Sequence, residues 1–415
     1  MKKCLYLLIF IIFSLILINA QETDLFDWDL DSLFDESFFD IIVQDDSEDT
    51  VLSSIKRRGI TFGFSYEFRG GASPGWDTAP WFFGDDDFVK SFSFRPGVKM
   101  NSAITVDAQI SEVFRVLSVV KVSIPGSYFF TLGDFFFDYN LLNTVFIRAG
   151  KYEHSWGISP NFGFTNLLSR VPDLSYNGES YVFKADIPIG IGGFQAVALT
   201  RTNLLTDIPG WSDLGFGGKY NLAFRWADFD LGVFYQYDMA TRAIFSIKTT
   251  LFDTEIYNEW LAAVNTHSDN SLSFAANVGF LKELFNRKIV LNAEFFYNKE
   301  GNTNSYQQES DITDAGVYSL NQGLNIALNL LYRYGGKGNP RFFANMLYAP
   351  AQNTMQLVPG FRLTPFQHVD VYMAVPMALG NKTGYYYENT ADPFNRPFSI
   401  VTLITLKGGL QTSFN

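Results

Sequence analysis

The chain of 415 residues contains one cysteine, Cys4, and three histidines. That scarcity excludes a disulfide framework and any metal centre built on thiolates. Charge is scarce too, with Asp, Glu, Lys and Arg together at 18%. The formal balance is −12, so the basic footprint that nucleic-acid binding requires is missing. Beyond the first twenty residues there is no uninterrupted run of eighteen or more apolar residues, which removes helical spans from the body of the chain. What is abundant is aromatic: 43 Phe, 21 Tyr and 7 Trp make 17% of the sequence. With a mean hydropathy of +0.03, the chain is neither polar and disordered nor a bundle of apolar spans. Such a composition calls for contact with a surface other than water.

Residues 1–20 read as a secretion signal. Lys2 and Lys3 form its positive start, Cys4 to Ile18 its apolar stretch, and Ala20 permits cleavage before Gln21. The apolar stretch falls short of the roughly twenty residues needed to span a bilayer. Residues 21–56 form a separate acidic segment. Between 21 and 50 there are twelve Asp or Glu and no Lys or Arg, which leaves 31 acidic and 29 basic residues from 51 onward. Phe26, Leu30, Leu33, Phe34, Phe38 and Ile41 or Ile42 recur at three to four residues, the spacing of an amphipathic helix. A disordered leader fits this segment equally, and its candidate roles are a lumen plug, a periplasmic contact or a solubilising tail.

The remaining body, 57–415, alternates with period two. In 59–69, Ile60, Phe62, Phe64, Tyr66 and Phe68 share one face, with Thr61, Gly63, Ser65, Glu67 and Arg69 on the other. The pattern returns in 213–226, in 271–282, in 288–298 and in 321–334. A helix cannot segregate it. These windows run about nine to fourteen residues, longer than the five or six of soluble strands and matched to a tilted membrane strand. The expectation is an all-β fold: a closed antiparallel transmembrane β-barrel of about 16–18 strands behind a short acidic amphipathic N-terminal segment. Eighteen candidate strands fit between 59 and 413, and sixteen if 92–152 divides differently. The five longest connections, near 70–91, 153–177, 203–212, 299–320 and 378–397, all follow odd-numbered candidates. That parity belongs to a barrel with short turns at one end and long loops at the other. Tyr66, Tyr220, Trp226, Tyr235, Tyr237, Tyr297, Tyr332 and Tyr334 near strand ends are expected to form aromatic girdles.

The last strand carries a resemblance. Phe398, Ile400, Ile404, Leu406, Leu410 and Phe414 share a face, and the chain stops at Asn415. This resembles the C-terminal signal of bacterial outer-membrane β-barrel proteins, porin-like members included. It implies outer-membrane lipid as the surroundings, with periplasmic chaperones and the barrel assembly machinery as partners. Residues 148–170, with Gly150-Lys151, Trp156-Gly157 and Asn166-Leu167-Leu168, are similar to a strand-to-loop segment of porin-like families. The similarity implies a loop that leaves the strand after Tyr152 and folds inward to constrict a pore. On composition alone an ordinary surface loop fits as well.

Catalytic chemistry is sparse. His154 adjoins Ser155, but neighbours on an extended strand point to opposite faces, so the pair is badly placed to act together. Asp85, Asp86 and Asp87 could hold Ca²⁺, although a solvated acidic loop is the simpler reading. The reading is therefore not an enzyme, with no catalytic residue, no metal and no cofactor. Assigning the aromatic face to lipid turns Arg115, Lys121, Arg148, Lys184, Arg201, Lys219, Arg225, Arg242, Lys248 and Arg362 inward as candidate channel-lining residues. Glu67, Asp186, Glu294 and Asp370 accompany them. The basic excess among these predicts anion preference. The function expected is a passive channel for small hydrophilic solutes. The alternatives are a non-conducting surface barrel whose loops bind external ligands, or a transporter of hydrophobic molecules. Oligomeric state has no cue in the sequence.

Overall fold

The computed structural model describes residues 59–77, 91–124, 130–152, 154, 156–162, 180–200, 202, 204, 208–236, 240–264, 272–299, 323–335, 339–382, 384–388 and 396–414. The secretion signal, the acidic segment, Asp85 to Asp87, Ser155, Arg201 and Tyr237 lie outside them.

The strands are β1 (Gly59–Trp76), β2 (Phe92–Ser111), β3 (Phe114–Ile124), β4 (Phe130–Leu141), β5 (Val145–Tyr152), β6 (Ser180–Ile189) and β7 (Gly192–Thr200). They continue as β8 (Leu214–Ala223), β9 (Ala227–Gln236), β10 (Thr241–Leu251), β11 (Thr254–Val264), β12 (Leu272–Leu284) and β13 (Ile289–Asn298). The rest are β14 (Leu324–Arg333), β15 (Arg341–Ala349), β16 (Thr354–Phe366), β17 (Val369–Ala374), β18 (Met377–Gly380), β19 (Phe398–Ser399) and β20 (Val401–Phe414).

From β1 to β16 each strand pairs antiparallel with its sequence neighbours. β1 also pairs with β20, from Ile60↔Phe414 to Ala72↔Thr402, and this closes the cylinder. Two staves are broken. β17 and β18 both pair with β16 and are parted by Val375 and Pro376. β19 and β20 are parted at Ile400, whose N–H donates to Pro74 O at 2.9 Å. Backbone pairing thus runs through the break, and the barrel has eighteen staves, the upper of the two expected counts.

Alternation places the sequence pattern in space. Along β9, Leu231, Val233 and Tyr235 are exposed while Asp230, Phe234 and Gln236 between them are buried. Phe62, Phe64, Phe245, Phe295, Leu328 and Ile404 belong to the same exposed outer surface. Around the whole wall these side chains make an apolar exterior, which only a bilayer can cover. Trp226 packs against Phe224 and Phe229 at the short-turn end, and Tyr332 against Phe342. Tyr66 departs from the girdle expectation: it lies mid-strand, close over Gly408, where a Cβ would come within 2.4 Å of its hydroxyl.

The two- and three-residue turns fall at one end, and the long connections after β1, β5, β7, β13 and β18 fall at the other, as the parity required. Phe252 and Asp253, both at positive φ, close the two-residue turn between β10 and β11. The first hairpin is longer than expected, reaching Trp76. Gly70, Gly71, Pro74 and Gly75 read as a loop, yet they lie in the ladder. At Gly71 the adjoining stave comes so near that a Cβ would stand 2.4 Å from Thr402 O.

Because the outer face meets hydrocarbon, Leu328→Arg is expected to destabilise the barrel by about 2–4 kcal/mol. Equilibrium unfolding from lipid vesicles measures this; an unchanged midpoint would contradict the assignment of faces.

Candidate functional site

The inner wall divides into two unlike sectors. On β2 to β9 the inward positions carry charge, because every second residue there must meet water rather than lipid. Arg115 on β3 donates two hydrogen bonds to Asp107 on β2, both at 2.8 Å, and stands 3.6 Å from Asp138 on β4. Arg148 on β5 binds the same Asp138 at 2.6 and 3.1 Å and lies 4.2 Å over the Phe136 ring. Lys184 on β6 pairs with Asp186 at 2.8 Å, and Lys219 on β8 with Asp230 on β9 at 3.2 Å. Arg115, Asp138, Arg148 and Lys184 are direct cross-strand partners in turn, so the charges form one belt. Two cations opposite each other, Arg148 and Lys184, would repel; Asp138 and Asp186 flank them and offset this. Asp107, Arg115, Asp138, Arg148 and Asp186 each keep between 28% and 35% of their side-chain surface exposed.

Of the other expected lining residues, Lys121 projects inward from β3 and is exposed, while Arg242 on β10 is buried. Lys248 pairs with Glu255 at 3.0 Å, and Arg362 on β16 pairs with Asp370 at 2.9 Å beneath Tyr372. Arg225 is a correction. β8 ends at Ala223, three residues before the expected strand end, and Arg225 sits exposed in the turn to β9. The Phe224 N–H donates back to Ala227 O at 2.9 Å, so the chain has already reversed there. The inward acids Asp107, Asp138, Asp230 and Glu255 had not been counted beside the basic residues. With them paired in, the basic excess that predicted anion preference largely disappears from the belt.

The other sector is sealed by the segment after β5, which turns into the barrel, as the resemblance over 148–170 implied. Trp156 and Phe162 are buried. Trp156 packs edge-on to Phe234, and Phe162 stacks on Phe296 at 5.1 Å. Gly217 makes room for the indole, since a Cβ there would lie 2.7 Å from it. Two carboxylates clamp the backbone between these rings. Glu259 on β11 accepts from the N–H groups of Ile158 and Ser159 at 2.7 and 3.0 Å. Glu294 on β13 accepts from Ser159 Oγ, Asn161 Nδ2 and Tyr257 OH, each at 2.7 Å, and from Asn277 Nδ2 at 3.2 Å. Both carboxylates are fully buried. Asn161 and Asn329 on β14 both donate to Asn292, which ties the clamp across four staves. Further round, Tyr386 of a short inward helix (Tyr385–Glu388) donates to Asn325 on β14 at 2.9 Å.

Gln195 on β7 joins the two sectors. Its amide nitrogen donates to Asp186 at 2.7 Å, which leaves its oxygen to accept from Trp156 Nε1 at 2.5 Å and His154 Nε2 at 3.0 Å. His154 must therefore carry its proton on Nε2. Burial pushes its pKa down to about 4 despite that hydrogen bond. The ring is thus a neutral strut of the inward segment, with no acid-base task evident from its contacts.

Sequence reading overlooked Gln195, Tyr257, Glu259, Asn277 and Asn292. The available signal was parity: on β11 to β14 the inward face collects acids and amides where a mere water-filled wall has no need of them.

Two outcomes follow. Glu294→Ala removes the acceptor of five hydrogen bonds, including one from the Asn161 N–H, each donor costing about 1–3 kcal/mol when left buried and bare, so the segment should undock. Single-channel conductance should rise and proteolysis after Tyr152 should appear; unchanged conductance in a folded barrel would refute the clamp. Acid should act in the same direction. An undocked His154 takes up a proton near 6.5 and the docked one only near 4, so docking is strongest above pH 6.5 and weakens as pH falls toward 4. His154→Gln should flatten that profile of conductance against pH.

No protein-family model matches the chain, and no curated protein matches it by sequence. Solved structures do match in three dimensions. OpdO of Pseudomonas aeruginosa aligns at 11% identity and a TM-score of 0.54, covering 84% of this chain and 97% of its own. Pseudomonas aeruginosa OccK2 (OpdF), solved in complex with glucuronate, aligns at 8% identity and 0.54, covering 84% and 96%. OpdK of the same organism, solved with vanillate, aligns at 8% and 0.52, covering 85% and 99%. At such identity the likeness speaks for the fold alone: this chain folds as a closed antiparallel β-barrel like those of the three proteins.

Proposed function

We infer that the protein is a passive channel for small hydrophilic solutes, with the path running between the inward segment and the belt on β2 to β9. The observation that carries this reading is the contrast between the two sectors. The clamp around Glu259 and Glu294 is closed to water, whereas Asp107, Arg115, Asp138, Arg148 and Asp186 of the belt stay partly exposed. A barrel serving only as a platform for loops has no use for a solvated ionic wall behind a tethered constriction. Transport of hydrophobic molecules would set the charges of the belt against the cargo.

The belt offers alternating positive and negative groups to a solute, so polar molecules can exchange water for protein at either sign. Two structural neighbours hold vanillate and glucuronate, small molecules that each carry a carboxylate. For this chain we extend that only to small polar solutes, small carboxylates among them, met by Arg115, Arg148 and Lys184.

Liposome swelling tests the reading: sugars should enter with a size limit, and correctly inserted protein that admits none would favour a ligand-binding platform. In a salt gradient, Asp138→Asn uncovers Arg115 and Arg148 and should shift the reversal potential toward anions. Arg148→Gln should shift it toward cations. Equal potentials for both variants and the parent would place the ionic path elsewhere.

A further inference from the structure

The outer wall has one polar outlier. On the lipid-facing positions of the described strands the side chains are apolar, aromatic, small or hydroxylic, apart from Lys151, Lys282 and Asn258. The two lysines stand at strand ends, where each reaches a backbone carbonyl, Lys151 that of Leu132 and Lys282 that of Phe252. Asn258 is different. It is the fifth of eleven residues in β11, directly opposite Ile247 on β10 and Val278 on β12.

Its orientation is fixed by its neighbours. Tyr257 and Glu259 are both buried inside the barrel, the first through its bond to Glu294 and the second through its hold on Ile158 and Ser159. Side chains alternate, so Asn258 points out, in line with Trp260, which is 44% exposed. Among the described residues the Asn258 amide has no hydrogen-bond partner. The Trp260 ring leans to Phe274, at 5.5 Å, on the side away from Asn258. Asn258 is left between two short β-branched side chains.

A carboxamide carries two donors and an acceptor, and acyl chains satisfy none of them. Burying it bare in hydrocarbon is costly. A second amide brought face to face satisfies both, and a twofold axis supplies that partner from an identical surface. Further up the wall, Ala243 and Ala262 lie opposite each other and Ala276 lies opposite Trp260, so small side chains alternate there with the rings of Phe245, Trp260 and Phe274. We propose that the outer wall centred on Asn258 is a self-association surface, at which two copies of this chain pair their Asn258 amides within the bilayer. The inference needs only a lipid-embedded barrel and stands whether or not the lumen conducts.

The test uses the scarcity of cysteine. In a Cys4→Ser background, Asn258→Cys supplies a single thiol, and Phe62→Cys supplies one on the remote wall of β1. Oxidation in native membranes should join Asn258→Cys into a dimer of twice the chain mass and leave Phe62→Cys as a monomer. Asn258→Leu keeps an apolar exterior, and heat-dependent gel mobility verifies its barrel. Its self-association in vesicles, read by energy transfer on dilution with lipid, should weaken about three- to thirty-fold. The proposal is overturned if Asn258→Cys stays monomeric, if it joins to a different envelope protein, or if Asn258→Leu associates as tightly as the parent.

Discussion

Hydrocarbon neither donates nor accepts hydrogen bonds, and that single fact governs the molecule. Every backbone group within the bilayer has to find its partner inside the protein, and strands can manage this only by closing on themselves. The seam shows how strictly the rule is kept. Where Pro376 deprives β17 and β18 of an N–H, and where Ile400 interrupts β19 and β20, neighbouring carbonyls still receive donors: Ile400 reaches Pro74 O, and Ser399 reaches Pro376 O at 3.2 Å. Breaks in strand geometry are tolerated, while breaks in hydrogen bonding are not.

Closure hands the sequence a second problem, because half of each strand then faces an enclosed space too wide for side chains to fill. Two solutions coexist here. On β2 to β9 long charged residues remain solvated and neutralise one another, with Asp138 shared between Arg115 and Arg148. On β11 to β14 the wall is instead covered by a segment of the chain, which Glu259 and Glu294 hold by accepting from N–H and O–H donors. Buried carboxylates are costly unless every lone pair is engaged. The density of donors around Glu294 answers that cost, and it also makes the docked geometry specific.

The fold was legible because period two, strand length and the parity of loop lengths are local or additive signals. Strand windows at 271–282 and 288–298 begin one residue before β12 and β13. Errors arose where local chemistry imitates a turn. Gly70, Gly71, Pro74 and Gly75 looked like a loop, yet Gly71 leaves room for the β20 backbone and Gly75 for the Arg396 guanidinium. At Trp226 the alternation of aromatics continued past the end of β8, and Arg225 was carried onto the wall with it. The site was less legible, since a list of inward cations says nothing about which anions stand beside them. Pairing depends on register, and register was unknown. The clamp was least visible of all: Ser159 and Glu294 are 135 residues apart, and no spacing rule connects them.

Inner and outer faces are nonetheless coupled through the strands they share. In β11 the inward Tyr257 and Glu259 fix the constriction, and by alternation they also fix what Asn258 presents to the bilayer between them. A one-residue slip of β11 would turn the clamp carboxylate into hydrocarbon and the amide into the lumen. Such a slip is opposed on both sides at once, by the desolvation of Glu259 and by the loss of Trp260 and Ile256 from the apolar exterior. The polar residue that looks misplaced on the outer wall therefore lies in a stave whose register is held from both faces. Its outward orientation is a consequence of what the lumen requires, and any surface it forms is built on the same constraint.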